Sequence, residues 1–326
     1  MKRLYYLGLI ALATAAVHGQ PANGPVYWSP VASPPDCTSL AGESPVAIMS
    51  GSTTIGYSCH VSGTFVWLAA GGAWGSAIRV AAPGSAPIGV DYAFFDVNGQ
   101  SLSLDTTLGA TGEVTFALHA NQPAEVGLLG AANTSHGSTQ TGSVYATFFC
   151  PDAATCANVL PQLLYSALPG MPWSLSAPIA WDTELWTQWS AEGMDNGSSK
   201  RVSVVVFNEG KNAASYRVRV YDSTGALAGT GVTPSIPSYG TYGALLSDVM
   251  GTPLPSGIFK VLVDGGIAYS AVEVLQFDGT SATTIAVGYD SGPGATAADA
   301  SGVKTQSARM VSAPRPVFHA LSRQEF

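Results

Sequence analysis

Two carboxylates, Asp182 and Glu184, stand two residues apart inside residues 172–190 (PWSLSAPIAWDTELWTQWS), a stretch that carries four of the seven tryptophans. If that stretch is extended, residues i and i+2 share a face, so both carboxylates look the same way. Glycoside hydrolysis needs two carboxyl groups placed on either side of the scissile bond; a solvated strand edge explains the pair without any chemistry. The aromatic rings offer something else. Flat indole faces pack on the C–H surfaces of sugars and are favoured in protein interfaces. Trp181, Trp186 and Trp189, with Asp182 and Gln188 at the margin, are therefore the candidate ligand-binding set. The competing reading puts these rings in a core or in a seam between domains, where large aromatics are usually buried.

Other chemistries are weaker. Gly56-Tyr57-Ser58-Cys59-His60 comes nearest to a nucleophile elbow, but His60 stands where G-x-S-x-G requires its last glycine. A strand running into a cystine accounts for it better, and no catalytic residue is assigned. Asp96-Val97-Asn98-Gly99-Gln100-Ser101 offers oxygens at alternate positions. A calcium loop of the EF type needs further acids and a terminal Glu, which Asp105 does not supply, so a turn is the expectation. His119, His136 and His319 read as isolated surface residues. Cys37 and Cys59 are spaced C-x21-C, and Cys150 and Cys156 C-x5-C. Neither spacing matches a zinc knuckle, so no metal or cofactor is expected. An even number of cysteines in an exported chain points to disulfides. Of the three possible connectivities the local one, Cys37–Cys59 with Cys150–Cys156, is favoured.

Residues 1–19 have the form of a secretory signal: Lys2-Arg3, an apolar run from Leu4 to Val17, then Gly19 before Gln20. The run is shorter than the ~20 residues a bilayer span requires, and no other stretch is apolar enough to span. Removing Lys2 and Arg3 would take the formal charge from −8 to −10. Only 10% of residues are charged, well under the roughly one quarter of ordinary globular chains. Nucleic-acid binding needs clustered Lys or Arg, and this acidic, lysine-poor chain excludes it. The remaining partners are an extracellular or cell-surface polysaccharide or protein. Asn133-Thr-Ser and Asn196-Gly-Ser are glycosylation sequons if the source is eukaryotic.

The elements that must position these residues are strands. In 202–227 (VSVVVFNEGKNAASYRVRVYDSTGAL) two apolar runs are joined by Asn208–Asn212 and closed by Asp222-Ser-Thr-Gly225. Tyr216, Val218 and Val220 fall on one face, and Arg217, Arg219 and Tyr221 on the other, the period-2 pattern of a half-buried strand. The expectation is a hairpin. Shifted by 126 residues, 78–101 (IRVAAPGSAPIGVDYAFFDVNGQS) lines up without a gap: Gly84 on Gly210, Asp96 on Asp222, Gly99 on Gly225, Tyr92 on Val218. A repeat of that length is a whole domain.

Strand-like runs recur every 8–12 residues with turn signals between them, leaving no room for parallel crossovers. The predicted fold is all-β: two tandem antiparallel β-sandwich (Ig-like) domains, with one short helix at most in the first. The helical candidate is 153–167, limited by Pro161; 245–250 suits a single helical turn. The expected divisions are a signal at 1–19, a Pro/Gly/Ser-rich segment at 20–62, sandwiches at 63–193 and 194–290, and a disordered tail at 291–326, where composition turns small and polar.

The polar turn ending in Asp-x-x-Gly, the strand Gly-Ser-Val-Tyr at 142–145, the run Tyr239-Gly-Thr-Tyr-Gly-Ala-Leu-Leu-Ser-Asp248 and the strands near 257–263 and 268–280 together resemble uncharacterised secreted repeat proteins of environmental bacteria with Ig-like β-sandwich units. The resemblance spans roughly 64–290. It implies an exported sandwich pair and brings no catalytic residues. The leading expectation is a non-catalytic secreted or cell-surface protein with a structural or adhesive role. A carbohydrate-binding module at 181–189 is the alternative, and a glycoside hydrolase at Asp182 and Glu184 the third reading.

Overall fold

Alternating and continuous apolar runs become strands, and the computed structural model lays them into four sheets that stack as two sandwiches. It describes residues 4–6, 30–278 apart from gaps at 41–43, 51, 73, 83, 85, 134, 168–173, 179–186 and 255, and the strand residues 281–285 and 288–289. The expected signal, apart from Leu4–Tyr6, and the expected tail lie outside the described residues.

Leaving aside the small hairpin of Leu104–Thr106 and Gly109–Thr111, the first sandwich has eight strands: Thr53–Ala70, Trp74–Ala81, Ile88–Asp96, Glu113–Leu118, Pro123–Ala131, Gln140–Cys150, Leu160–Ala167 and Ser174–Pro178. The second also has eight: Gln188–Asp195, Lys200–Asn208, Arg217–Tyr221, Leu227–Val232, Thr241–Leu245, Gly257–Asp264, Ser270–Asp278 and Ser281–Ile285. In each, strands one, six, three and four form one sheet, and strands eight, seven, two and five form the other. Every pairing among these sixteen strands is antiparallel. The strands Val46–Ser50 and Gly288–Tyr289 extend the equivalent edges of the two sandwiches, each beside strand one.

Tyr92 and Val218 both lie on a third strand, face inward and are fully buried. In the first core Tyr92 meets Phe116 and Phe148 edge-on, with ring centroids 5.9 and 6.2 Å apart, the geometry the ring quadrupoles prefer. The second core is built largely from valines: Val202, Val204, Val206, Val218, Val220, Val261, Val263, Val272 and Val274. β-branched side chains suit this setting because their single dominant rotamer packs on a pleated surface.

Three expectations are corrected. The runs in 202–227 do not form a hairpin, because Lys200–Asn208 and Arg217–Tyr221 sit in opposite sheets. The chain crosses the sandwich between them, and Asn208 fixes the crossing. Its Nδ2 donates to the carbonyls of Asn212, Ile236 and Pro237, while its Oδ1 accepts from the Gly210 amide. The helix over 153–167 is only Ala153–Ala157, after which Leu160–Ala167 is a strand. Asp152 caps it by accepting from the Thr155 amide, but Leu163 and Tyr165 belong to the sheet core and draw the rest of the segment into the ladder. Finally, Gln188–Asp195 pairs with Gly257–Asp264 and so belongs to the second sandwich, which therefore begins before residue 194. At the other end, Val46–Ser50 and the start of Thr53–Ala70 bring part of 20–62 into the first.

Candidate functional site

The second strand of the second sandwich is apolar without interruption, Val-Val-Val-Phe at 204–207, and both of its faces are buried. A strand of that kind is covered on two sides. One side is the valine core; the other looks at the first sandwich. On Ser270–Asp278 the split is equally clear, with Val272 and Val274 in the second core while Leu275 and Phe277 pack against the first.

Polar contacts close the seam. The Thr241 amide donates to the carbonyl of Val97 at 3.1 Å, and its hydroxyl lies 2.8 Å from the carbonyl of Val66. The Asp96–Gly99 turn presses on 238–240 so closely that a Cβ at Gly99 would run into the Ser238 carbonyl.

Between these contacts lies a cavity of about 280 Å³. The first sandwich supplies Trp67, Trp74 and Tyr165 to its wall; the second supplies Ser203, Val205, Gly243, Ala244, Leu245, Leu275 and Phe277. Trp74 meets Tyr165 edge-on at 6.4 Å, and the Tyr165 hydroxyl donates to the Trp67 carbonyl. Burial holds the Tyr165 phenol well above its ordinary range, and the nearby carboxylate of Glu273, itself buried, pushes the same way. Tyr165 is thus a neutral donor and wall element at neutral pH. The sequence reading missed this site because its residues come from six separate strands or loops. The continuous apolar run at 204–207 was the available signal.

A second, polar cleft of about 400 Å³ is lined by Asp195, Arg201, Ser247 and Asp248 among others. Asp195 accepts from the amides of Gly197 and Val202, and the Arg201 guanidinium donates to Ser247 Oγ. These contacts serve the 195–202 turn and the short helix Leu246–Met250.

Of the candidate set at 181–189, Trp189 belongs to the second core. It is 3% exposed, and its Nε1–H donates to the Ser270 carbonyl at 2.8 Å. Gln188 is buried beside it. Neither offers a face to a sugar, because both side chains are buried in the second sandwich. Trp181, Asp182, Glu184 and Trp186 lie outside the described residues. Ser58 is fully buried with its hydroxyl against the carbonyls of Cys59 and Cys150. Disulfides join Cys37 to Cys59 and Cys150 to Cys156, as an oxidising compartment permits. Asp96 Oδ1 accepts from the amides of Asn98 and Gln100, the bonds of a side-chain-capped turn. His136 is not isolated: its Nε2 lies 2.6 Å from Asp105 Oδ2, and the Asn133 amide donates to the same carboxylate. Asp105 thereby ties Asn133 and His136 to the edge hairpin. Among the described residues no helix is long and apolar enough to cross a membrane, and no group of His, Cys, Asp and Glu is placed to hold a metal.

Compared with protein-family models, with curated proteins and with solved structures, the chain finds no match.

Proposed function

We propose that this chain is an exported, non-catalytic pair of β-sandwiches with a structural or adhesive role at or beyond the cell surface. The observation that carries this reading is the seam. Side-chain and backbone bonds from Thr241, with apolar packing on both sides of Lys200–Asn208, lock the two domains into one stiff body. A flexible linker between independent domains is the default. A fixed orientation suits a protein that spaces or presents surfaces. The signal-like 1–19, the two disulfides and the low charge support export. The shared strand order and the 126-residue offset support an origin by duplication of one sandwich.

The test is expression of the full chain in a secreting host. The expected product is extracellular or surface-bound, begins near Gln20 by mass spectrometry, and carries no free thiol. Retention in the cytoplasm with residues 1–19 intact would remove the reading. A glycan array addresses the carbohydrate alternative, which without Trp189 rests on Trp181 and Trp186. No binding, or binding unchanged in Trp181→Ala and Trp186→Ala, is the expected result.

A further inference from the structure

We propose that the seam cavity is a binding site for a small uncharged apolar molecule, of the size of one aromatic ring or a short alkyl chain. The volume, about 280 Å³, lies just under the roughly 300 Å³ at which ligand pockets usually begin; such pockets tend to lie at domain interfaces and to be mostly apolar. The cavity is a partly open pocket, and its volume exceeds that of the sealed engineered cavities of about 150 Å³ that take up benzene or xenon. The wall is mostly apolar: Trp67, Trp74, Val205, Leu275 and Phe277 line it, with the hydroxyls of Tyr165 and Ser203 the side-chain polar groups. A trapped water needs two to four polar partners. The one phenol here has its proton directed to the Trp67 carbonyl and, being held neutral, contributes no charge.

Small residues keep the space open from the second sandwich. Gly243 faces the Trp67 ring, and a Cβ there would come within 3.0 Å of it. The opposing walls belong to different sandwiches held in register by Thr241, so a ligand meets a chamber already formed. Preformed walls spare the ordering cost that weakens binding to mobile surfaces. Glu273 is buried and close enough to Tyr165 to act on its phenol. A cationic ligand would exploit that carboxylate and a neutral one would ignore it, which the experiment distinguishes.

The test uses the full oxidised chain with toluene, benzylammonium and naphthalene as probes, followed by saturation-transfer NMR and calorimetry. Toluene is expected to saturate with a Kd on the order of 10⁻⁴ M, within the range open to a ligand of this size. Gly243→Leu, which fills the chamber, is expected to weaken toluene at least tenfold while the strand content by far-ultraviolet circular dichroism stays unchanged. Phe277→Ala, which enlarges it, is expected to shift preference toward naphthalene several-fold and stands as the deciding variant if Gly243→Leu fails to fold. Three results would each overturn the proposal: no saturable toluene binding up to its solubility limit, toluene affinity within twofold of wild type in Gly243→Leu or an unshifted preference in Phe277→Ala, or benzylammonium binding more tightly than toluene.

Discussion

Two tyrosines buried to the same depth have opposite consequences for stability. Tyr216 places its hydroxyl 2.8 Å from both Asn208 Oδ1 and the Tyr269 carbonyl. The Tyr92 hydroxyl is buried and finds no hydrogen-bond partner among the described residues. A buried polar group without a partner costs about 1–3 kcal/mol, whereas removing one member of a made pair leaves the other stranded. Tyr92→Phe should therefore be neutral or raise stability by up to about 1 kcal/mol in urea denaturation, and Tyr216→Phe should lower it by about 1–2 kcal/mol. Asn208→Ala is the severe case. It removes five hydrogen bonds at once, and while Ile236, Pro237 and Tyr216 keep other partners, the Asn212 carbonyl and the Gly210 amide lose their side-chain partner, for a loss of at least about 3 kcal/mol. Both phenols also set an alkaline limit. Burial pushes each well above its ordinary range, with Glu209 adding to the effect at Tyr216. Unfolded phenols ionise near pH 10, so the unfolded chain loses these protons first. Stability is then complete below about pH 10 and falls as pH rises beyond it. Ultraviolet titration should show both tyrosines ionising only together with unfolding; their free ionisation in the folded chain would contradict the burial.

The two Asp-x-x-Gly turns are alike in construction and unlike in duty. Asp96 and Asp222 each accept from the amides two and four residues on, and Gly99 and Gly225 each donate back to that Asp's carbonyl. Both glycines have positive φ, +74° and +85°. Around Gly225 nothing lies within 4 Å of a Cβ, while at Gly99 a Cβ would strike the Ser238 carbonyl across the seam. Gly225→Ala should cost about 1–2 kcal/mol from the backbone conformation alone. Gly99→Ala carries the same strain and must also displace backbone, so its loss should exceed that of Gly225→Ala by at least about 2 kcal/mol. Equal losses in thermal denaturation would show that the turn does not bear on the seam. This pair also marks how far strands and turns were legible. Turn residues at fixed offsets and the alternation in 216–221 announce local structure, since both act within a few residues. Whether two runs pair with each other or face each other across a core depends on contacts distant in sequence. Lys200–Asn208 finds its neighbours at Thr241–Leu245 and Ser270–Asp278, which no turn residue encodes. The helix at 153–167 failed for the same reason. Leu160–Ala167 completes a ladder with Trp74–Ala81, and that ladder outweighs helical propensity.

At the scale of the whole molecule, the tryptophan stretch drew attention by composition, yet the cavity came from residues of ordinary appearance that only docking brings together. Trp67 and Gly243 lie 176 positions apart in the chain. What sequence did carry was the doubly buried run at 204–207, which requires a covering body on its second face. That requirement has a thermodynamic consequence. Exposing the outward face of Lys200–Asn208 together with Leu275 and Phe277 would lose apolar burial worth roughly 1.5–3 kcal/mol for each large side chain. The bonds from Thr241 to Val66 and Val97 would be lost in addition. Neither sandwich can then melt without destabilising its neighbour, and the intact chain should unfold in one calorimetric transition whose van't Hoff and calorimetric enthalpies agree. Thr241→Val keeps the side-chain volume and removes the hydroxyl bond, for a loss of about 1–2 kcal/mol. Combined with Gly99→Ala it attacks the seam from both sides, and the single transition should broaden or split in two while each sandwich keeps its strand content by far-ultraviolet circular dichroism. Two transitions in the unmodified chain would mean that the seam is a resting contact between independent domains. A stiff presenting body would then lose its foundation.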